Sequence, residues 1–223
     1  MILKLKSNKI KLPKNDWHSL LYWDTGEWQV IEERLNETEY CPSGSVLFHA
    51  LQSVDLGSCR CAIVGQDPYP ELRHCTGRAF ETPRELKELP ASLVNIFKEY
   101  EDDMRYPAPK NGDLTQWVNQ GVLLWNAYPS CAQGKPGSHH WEEWTWLTKE
   151  ILEKLNAKKD PVVFIFLGRV AANFSKYVDK SRTITTSHPS PLGVTHGFRG
   201  SKIFSRTNAL LSDLGQKPIV WLL

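Results

Sequence analysis

The chain has 223 residues, 41% of them apolar, with 27 basic and 25 acidic side chains and a formal net charge of +2. That length fits one large domain or two small ones, and that apolar share excludes a disordered chain. The charge balance neither demands nor excludes nucleic acid, because what matters is where the basic groups sit.

Five cysteines, an odd number without framework spacing, argue against a disulfide scaffold and for a reducing compartment. No Cys-x-x-Cys pair supports zinc or an iron–sulfur cluster, so all five read as ordinary thiols. The opening Met-Ile-Leu-Lys-Leu-Lys is too charged for a secretory signal, and no apolar run reaches membrane-spanning length. The expectation is a soluble chain, cytoplasmic or nuclear according to host, not secreted and with no membrane partner.

Residues 1–16 form a leading segment with no assigned role. Up to residue 58 the pattern is irregular, with helices expected around Trp28 to Leu35 and Ser45 to Gln52. Cys61-Ala62-Ile63-Val64 reads as the end of a first buried strand, and Cys59 is placed on the same strand. Ala91 to Tyr100 carries Leu93, Ile96 and Phe97 at helical spacing, and Ser92 suits a cap. A second strand runs from Gly121 to Trp125. Trp141 to Leu155 then sets Trp144, Leu147, Ile151 and Leu155 on one helical face.

Pro161 to Leu167 is a third strand, and Arg182 to Thr186 a weaker, β-branched fourth. Short helices are expected over 171–177 and 205–214. The first three strands do not alternate with polar residues, which suits burial on both faces of a parallel sheet. The fold class is therefore α/β. It is read as a single domain over 17–223, with a central, mostly parallel four-stranded sheet flanked by helices on both faces.

In such sheets ligands bind beyond the carboxyl ends of the strands. There the sequence sets Gln66-Asp67-Pro68-Tyr69-Pro70, then Asn126, then Gly168-Arg169, then Ser187-His188-Pro189-Ser190-Pro191-Leu192. Two prolines around one carboxylate and one phenol fix two φ angles, more than an ordinary turn requires. Each piece alone is a common strand exit. An acid, a carboxamide and an imidazole on one rim are far more specific.

These residues carry a family likeness. Gly65-Gln66-Asp67-Pro68-Tyr69 resembles the water-activating loop of family 1 uracil-DNA glycosylases, and His188-Pro189-Ser190-Pro191-Leu192 resembles their minor-groove leucine loop. Gly77-Arg78-Ala79-Phe80, Pro90-Ala91-Ser92-Leu93, Gly134 with Ser138-His139, and Gly197-Phe198-Arg199-Gly200 fall in family order. The likeness runs from about residue 17 to the end.

The resemblance implies a roster of roles. Asp67 would stabilise a cationic sugar and orient the attacking water, while neutral His188 would donate to uracil O2 as negative charge develops there. Asn126 would pair with O4 and N3–H, a pattern that cytosine reverses. Tyr69 would exclude thymine's methyl group, and Phe80 would stack on the base for about 1–3 kcal/mol. Backbone N–H groups near Gln66 would assist His188. Leu192 would fill the space left by the flipped nucleotide.

Ser92, Ser190, Arg169 and Arg199, with Lys202 nearby, would hold phosphates. The chemistry calls for no metal or cofactor, and no lysine stands in these motifs to form a Schiff base. The expected partners are uracil-containing DNA, single- or double-stranded, and a proteinaceous glycosylase inhibitor. The expected state is a monomer.

The sequence departs from the family pattern at four places. Pro70 replaces a histidine, Gly193 a serine and Arg169 another serine, the last pointing to a more salt-sensitive grip on DNA. Ala127-Tyr128-Pro129-Ser130 replaces a more apolar run and is expected to reshape the pocket floor. The alternatives are a catalytically inactive DNA-binding or replication accessory protein on the same fold, a glycosylase of wider specificity, and a small-molecule α/β enzyme. The last lacks both a Gly-x-Gly-x-x-Gly run and a P-loop.

Overall fold

A computed structural model describes residues 10–21, 23 and 25–223. The helices are α1 (Asp16–Leu20), α2 (Gly26–Asn36), α3 (His49–Ser53), α4 (Ala91–Met104), α5 (Thr115–Val118), α6 (Glu142–Asn156), α7 (Arg169–Ala172) and α8 (Ile203–Asp213). The strands are β1 (Tyr40–Cys41), β2 (Cys61–Gly65), β3 (Val122–Asn126), β4 (Cys131–Ala132), β5 (Val163–Leu167) and β6 (Thr183–Thr186).

The central sheet has the order β3-β2-β5-β6, and every neighbouring pair is parallel. β2, β3 and β5 are buried along their whole length, as their unbroken apolar runs require. On one face Ile63, Leu124 and Leu167 meet Ile96 of α4, Trp117 of α5, and Ile203 and Phe204 of α8. On the other, Trp125 Nε1 donates to Thr148 Oγ1 of α6 at 3.0 Å, and α2 packs outside α6. The chain leaves β2 toward β3 on one side and leaves β5 toward β6 on the other. The reversal between β2 and β5 opens a crevice at their carboxyl ends, where α/β sheets bind ligands.

Several local expectations are corrected. Cys59 lies between the 56–58 turn and the start of β2, not on the strand. Ser92 does not cap α4: Pro90 holds the N-cap position without a side-chain bond, and the helix runs on to Met104. α8 starts two residues early because Asp103 of α4 accepts from Phe204 N and Ser205 N at 3.0 and 2.9 Å, satisfying its first amides from outside the helix. The 171–177 helix splits into α7 and a 3-10 turn, Ser175–Tyr177. The 45–52 helix shrinks to α3 behind a turn.

Residues 1–9 of the leading segment lie outside the described residues. Its remainder is tied to the domain: Gln52 Nε2 donates to Lys11 O at 2.9 Å, and Asn15 Nδ2 to Leu51 O at 2.8 Å. The antiparallel pair β1–β4, which sets Cys41 opposite Cys131, has too few residues to show a period.

Candidate active site

The site begins at the last residue of β2. A Cβ on Gly65 would lie 2.8 Å from Asn126 Oδ1 and 3.0 Å from Phe80 Cε2, so only glycine lets both close over the strand end. Gly65 pairs with Asn126 in register, and Ala127 N and Tyr128 N carry the pairing on to Gly65 O and Gln66 O at 2.9 Å each. The Gln66-Asp67 segment therefore leaves the sheet already held.

Asp67 Oδ2 accepts from Gly137 N, and Oδ1 accepts from Gln66 Nε2 at 3.2 Å. Burial pushes its carboxyl above the ordinary 3.8, against the pull of the Gly137 N–H, the His140 charge and the Gln66 amide. Gln66 thus reaches this loop through its side chain.

Tyr69 donates its phenol to Phe80 O at 2.9 Å, and burial raises that phenol above its usual range. Phe80 has φ +65°, a left-handed conformation that costs about 1–3 kcal/mol in a non-glycine residue. The Tyr69 bond fixes its carbonyl in that state. Asn126 is 8% exposed, and its carboxamide has no hydrogen-bond partner among the described residues.

His188 follows β6. Its Nδ1 accepts from Ser190 N at 3.0 Å, so the neutral ring carries its proton on Nε2. Burial holds the imidazole below its ordinary 6.5. Gly168, at φ +99°, gives the ring its room: a Cβ there would stand 3.0 Å from His188 Cβ. Phe80 and His188 have ring centroids 6.0 Å apart.

Gln66, Asp67, Tyr69, Phe80, Ser92, His188, Ser190 and Leu192 line one cavity of about 540 Å3. Asn126 is not among its lining residues; its carboxamide lies against Gly65 at the end of β2. Leu192 stands 89% exposed at the rim. Arg169, Arg199 and Lys202 are exposed and do not line the cavity.

Two departures find physical explanations. A Cβ on Gly193 would come within 2.3 Å of His188 O, so glycine is demanded by the tight approach of this loop to the His188 backbone. Residues 127–130, like Asn126, are not among the residues that line the cavity. Tyr128 instead stacks on His140 at 4.0 Å, and Ser130 Oγ accepts from Trp144 Nε1 at 2.9 Å. His139, bonded to Ser130 Oγ and stacked on Trp141, is buried and has its pKa pushed down to about 4.

Sequence reading missed Gly137, whose contribution is a backbone amide. It also missed Asn95 of α4, whose Nδ2 holds Pro189 O at 2.7 Å and so braces the leucine loop. Arg78, though at the cavity edge, is committed to Glu81 at 2.9 Å and to Ser53 at 2.7 Å.

Residues 52–212 match the model of the uracil DNA glycosylase superfamily. The uracil-DNA glycosylase of Mycolicibacterium gilvum is 41% identical over 182 residues, covering 82% of this chain and 80% of that one. Uracil-DNA glycosylase 1 of Streptomyces coelicolor is 41% identical over 196 residues, covering 88% and 86%. The crystal structure of mimivirus uracil-DNA glycosylase superposes with a TM-score of 0.83 at 24% identity, covering 93% of this chain and 84% of that one. A mimivirus variant in complex with UGI superposes at 0.82 with 25% identity, covering 94% and 92%.

Proposed function

This chain belongs to the uracil-DNA glycosylase superfamily, and from that premise we propose that it removes uracil from DNA through the cavity between Asp67 and His188. The observation that carries this is convergence. One cavity holds a braced carboxylate, a proton-donating imidazole and an aromatic stacking face, and an uncommitted carboxamide stands against Gly65 at the same strand end.

Uracil in a duplex is out of reach, so the nucleotide leaves the stack at a cost of a few kcal/mol. Leu192, packed on nothing of its own, fills the vacated step. The base slides against Phe80, where Asn126 accepts from N3–H and donates to O4. Cytosine inverts that pattern and leaves polar groups unpaired. The Tyr69 ring, held by its bond to Phe80, stands against C5 and has no room for a methyl group.

As the C1′–N1 bond breaks, the sugar gains positive charge and the base negative charge. Asp67 stabilises the first and orients water toward C1′, and Nε2–H of His188 stabilises the second at O2. Water adds to C1′, free uracil leaves, and an abasic site remains with the DNA backbone intact. Ser92, Ser190, Arg169 and Arg199 hold phosphates on either side.

We read the chain as acting as a monomer. The mimivirus complex supports a protein inhibitor as a partner. Among the described residues no helix is long and apolar enough to cross a membrane. The five cysteines are all unpaired, which supports a reducing, cytoplasmic setting.

The test uses labelled strands containing one uracil, with matched thymine and cytosine strands, incubated in chelator and then treated with hot alkali. Scission is expected at uracil alone. Binding without scission would instead favour an inactive scaffold.

A further inference from the structure

One face of α4 carries Ser92, Asn95, Glu99 and Asp103, at helical spacing and so stacked turn upon turn. Ser92 lines the cavity, and Asp103 holds the first amides of α8. Asn95 Nδ2 donates to Pro189 O at 2.7 Å. One turn further on, Glu99 accepts from Gly200 N at 2.6 Å and from Lys202 N at 2.7 Å, with Ser201 Oγ 3.5 Å away. Adjacent turns of one helix thus grip the two ends of segment 189–202, and Leu192 and Arg199 stand exposed between the grips.

Glu99 is buried, and among the described residues its partners are these two amides and this hydroxyl rather than a cation. Burying a carboxylate without a cation is costly unless hydrogen bonds offset it, and here every such bond goes to the segment. Both amides belong to left-handed backbone, Gly200 at φ +75° and the non-glycine Lys202 at φ +53°. Inside the segment Val194 N donates to Ser190 O at 2.8 Å and Arg199 N to Val194 O at 3.0 Å. The half held by Glu99 therefore supports the half that carries Leu192.

We propose that Glu99 and Asn95 are positioning residues for base extrusion: they fix segment 189–202 at both ends, so that Leu192 does not yield when it is pressed into the stack. This rests on the function proposed above. An apolar wedge unstacks a base step only if its backbone stays in place, and a segment already fixed needs no ordering when DNA arrives. With either grip cut, the segment gives way before the duplex does. Single-stranded DNA asks for little extrusion, so the loss falls on duplex substrate.

The experiment measures single-turnover excision, at saturating protein, from a uracil-containing duplex and from its uracil strand alone. Wild type is compared with Asn95→Ala, Glu99→Gln, Leu192→Ala and each of the first two combined with Leu192→Ala, with Tm recorded for all. Asn95→Ala and Glu99→Gln should each lower the duplex-to-single-strand rate ratio about fivefold or more. In the Leu192→Ala background, where no wedge remains to be supported, each should lower it less than about twofold. Asn95→Ala removes one donor from a half-buried side chain, and so serves alone if Glu99→Gln does not fold. An unchanged ratio in either folded variant, or a fall that persists in full without Leu192, would overturn the proposal. No excision by the wild type from the single strand would instead overturn the function proposed above.

Discussion

The phenol of Tyr69 and the carbonyl of Phe80 are joined by one hydrogen bond of 2.9 Å, which couples two aromatic walls of the cavity. Phe80 holds a left-handed backbone at φ +65°, so the bond spans a rigid loop and a strained residue.

Tyr69→Phe keeps the ring and cuts this bond. The Phe80 carbonyl loses a partner at a net cost of about 1 kcal/mol, and the wall loses its brace. Uracil excision should fall about tenfold and thymine excision should become detectable in long incubations with matched strands. Unchanged rates on both strands would mean that the bond does not hold the wall.

The raised Asp67 pKa has consequences of defined sign. In the proposed mechanism excision needs the carboxylate, so kcat/KM should fall on the acid side with a midpoint above 3.8, and Asp67→Asn should leave little rate to titrate. For stability, a folded pKa above the unfolded value means that the native state binds this proton more tightly. Above both values the buried charge costs stability; below both it costs none. Asp67→Asn should therefore raise Tm near pH 7, with the gain shrinking as pH falls through the raised pKa toward 3.8. A lower Tm for the variant at pH 7 would show that the Gly137 and Gln66 bonds outweigh burial.

Gly193→Ser would restore a hydroxyl where the family usually has one, yet its Cβ would sit 2.3 Å from His188 O. The loop must move, and His188 with it. Excision should drop at least tenfold, with no tightening of DNA binding in a fluorescence titration. Tighter binding at full rate would show that the loop yields easily.

Leu192 is 89% exposed and contributes nothing evident to the core. Leu192→Ala should leave Tm unchanged and slow excision from duplex DNA about tenfold or more, while single-stranded DNA, which needs little extrusion, is scarcely affected. Equal losses on both substrates would assign Leu192 to binding rather than flipping.

Much of this was legible in residues 61–70, where an unbroken apolar run passes through glycine into Asp-Pro-Tyr-Pro. A parallel strand buried on both faces has little choice but to be continuously apolar, so β2, β3 and β5 announce themselves. The contacts that tune the site were not legible. The Gly137 amide acts through its backbone, which any residue type possesses. Asn95 reaches Pro189 across 94 positions, and Cys41 meets Cys131 only through β1–β4. Gly193 read as a lost serine because its reason, the closeness of His188 O, exists only in three dimensions.

The most direct measurement is single-turnover release of free uracil from a radiolabelled uracil oligonucleotide, with wild type and Asp67→Asn prepared side by side. The geometry predicts uracil as the released product, an intact abasic strand, and at least a hundredfold slower release by the variant. Release at equal rates, or no uracil released by the wild type, would contradict catalysis at the Asp67–His188 cavity.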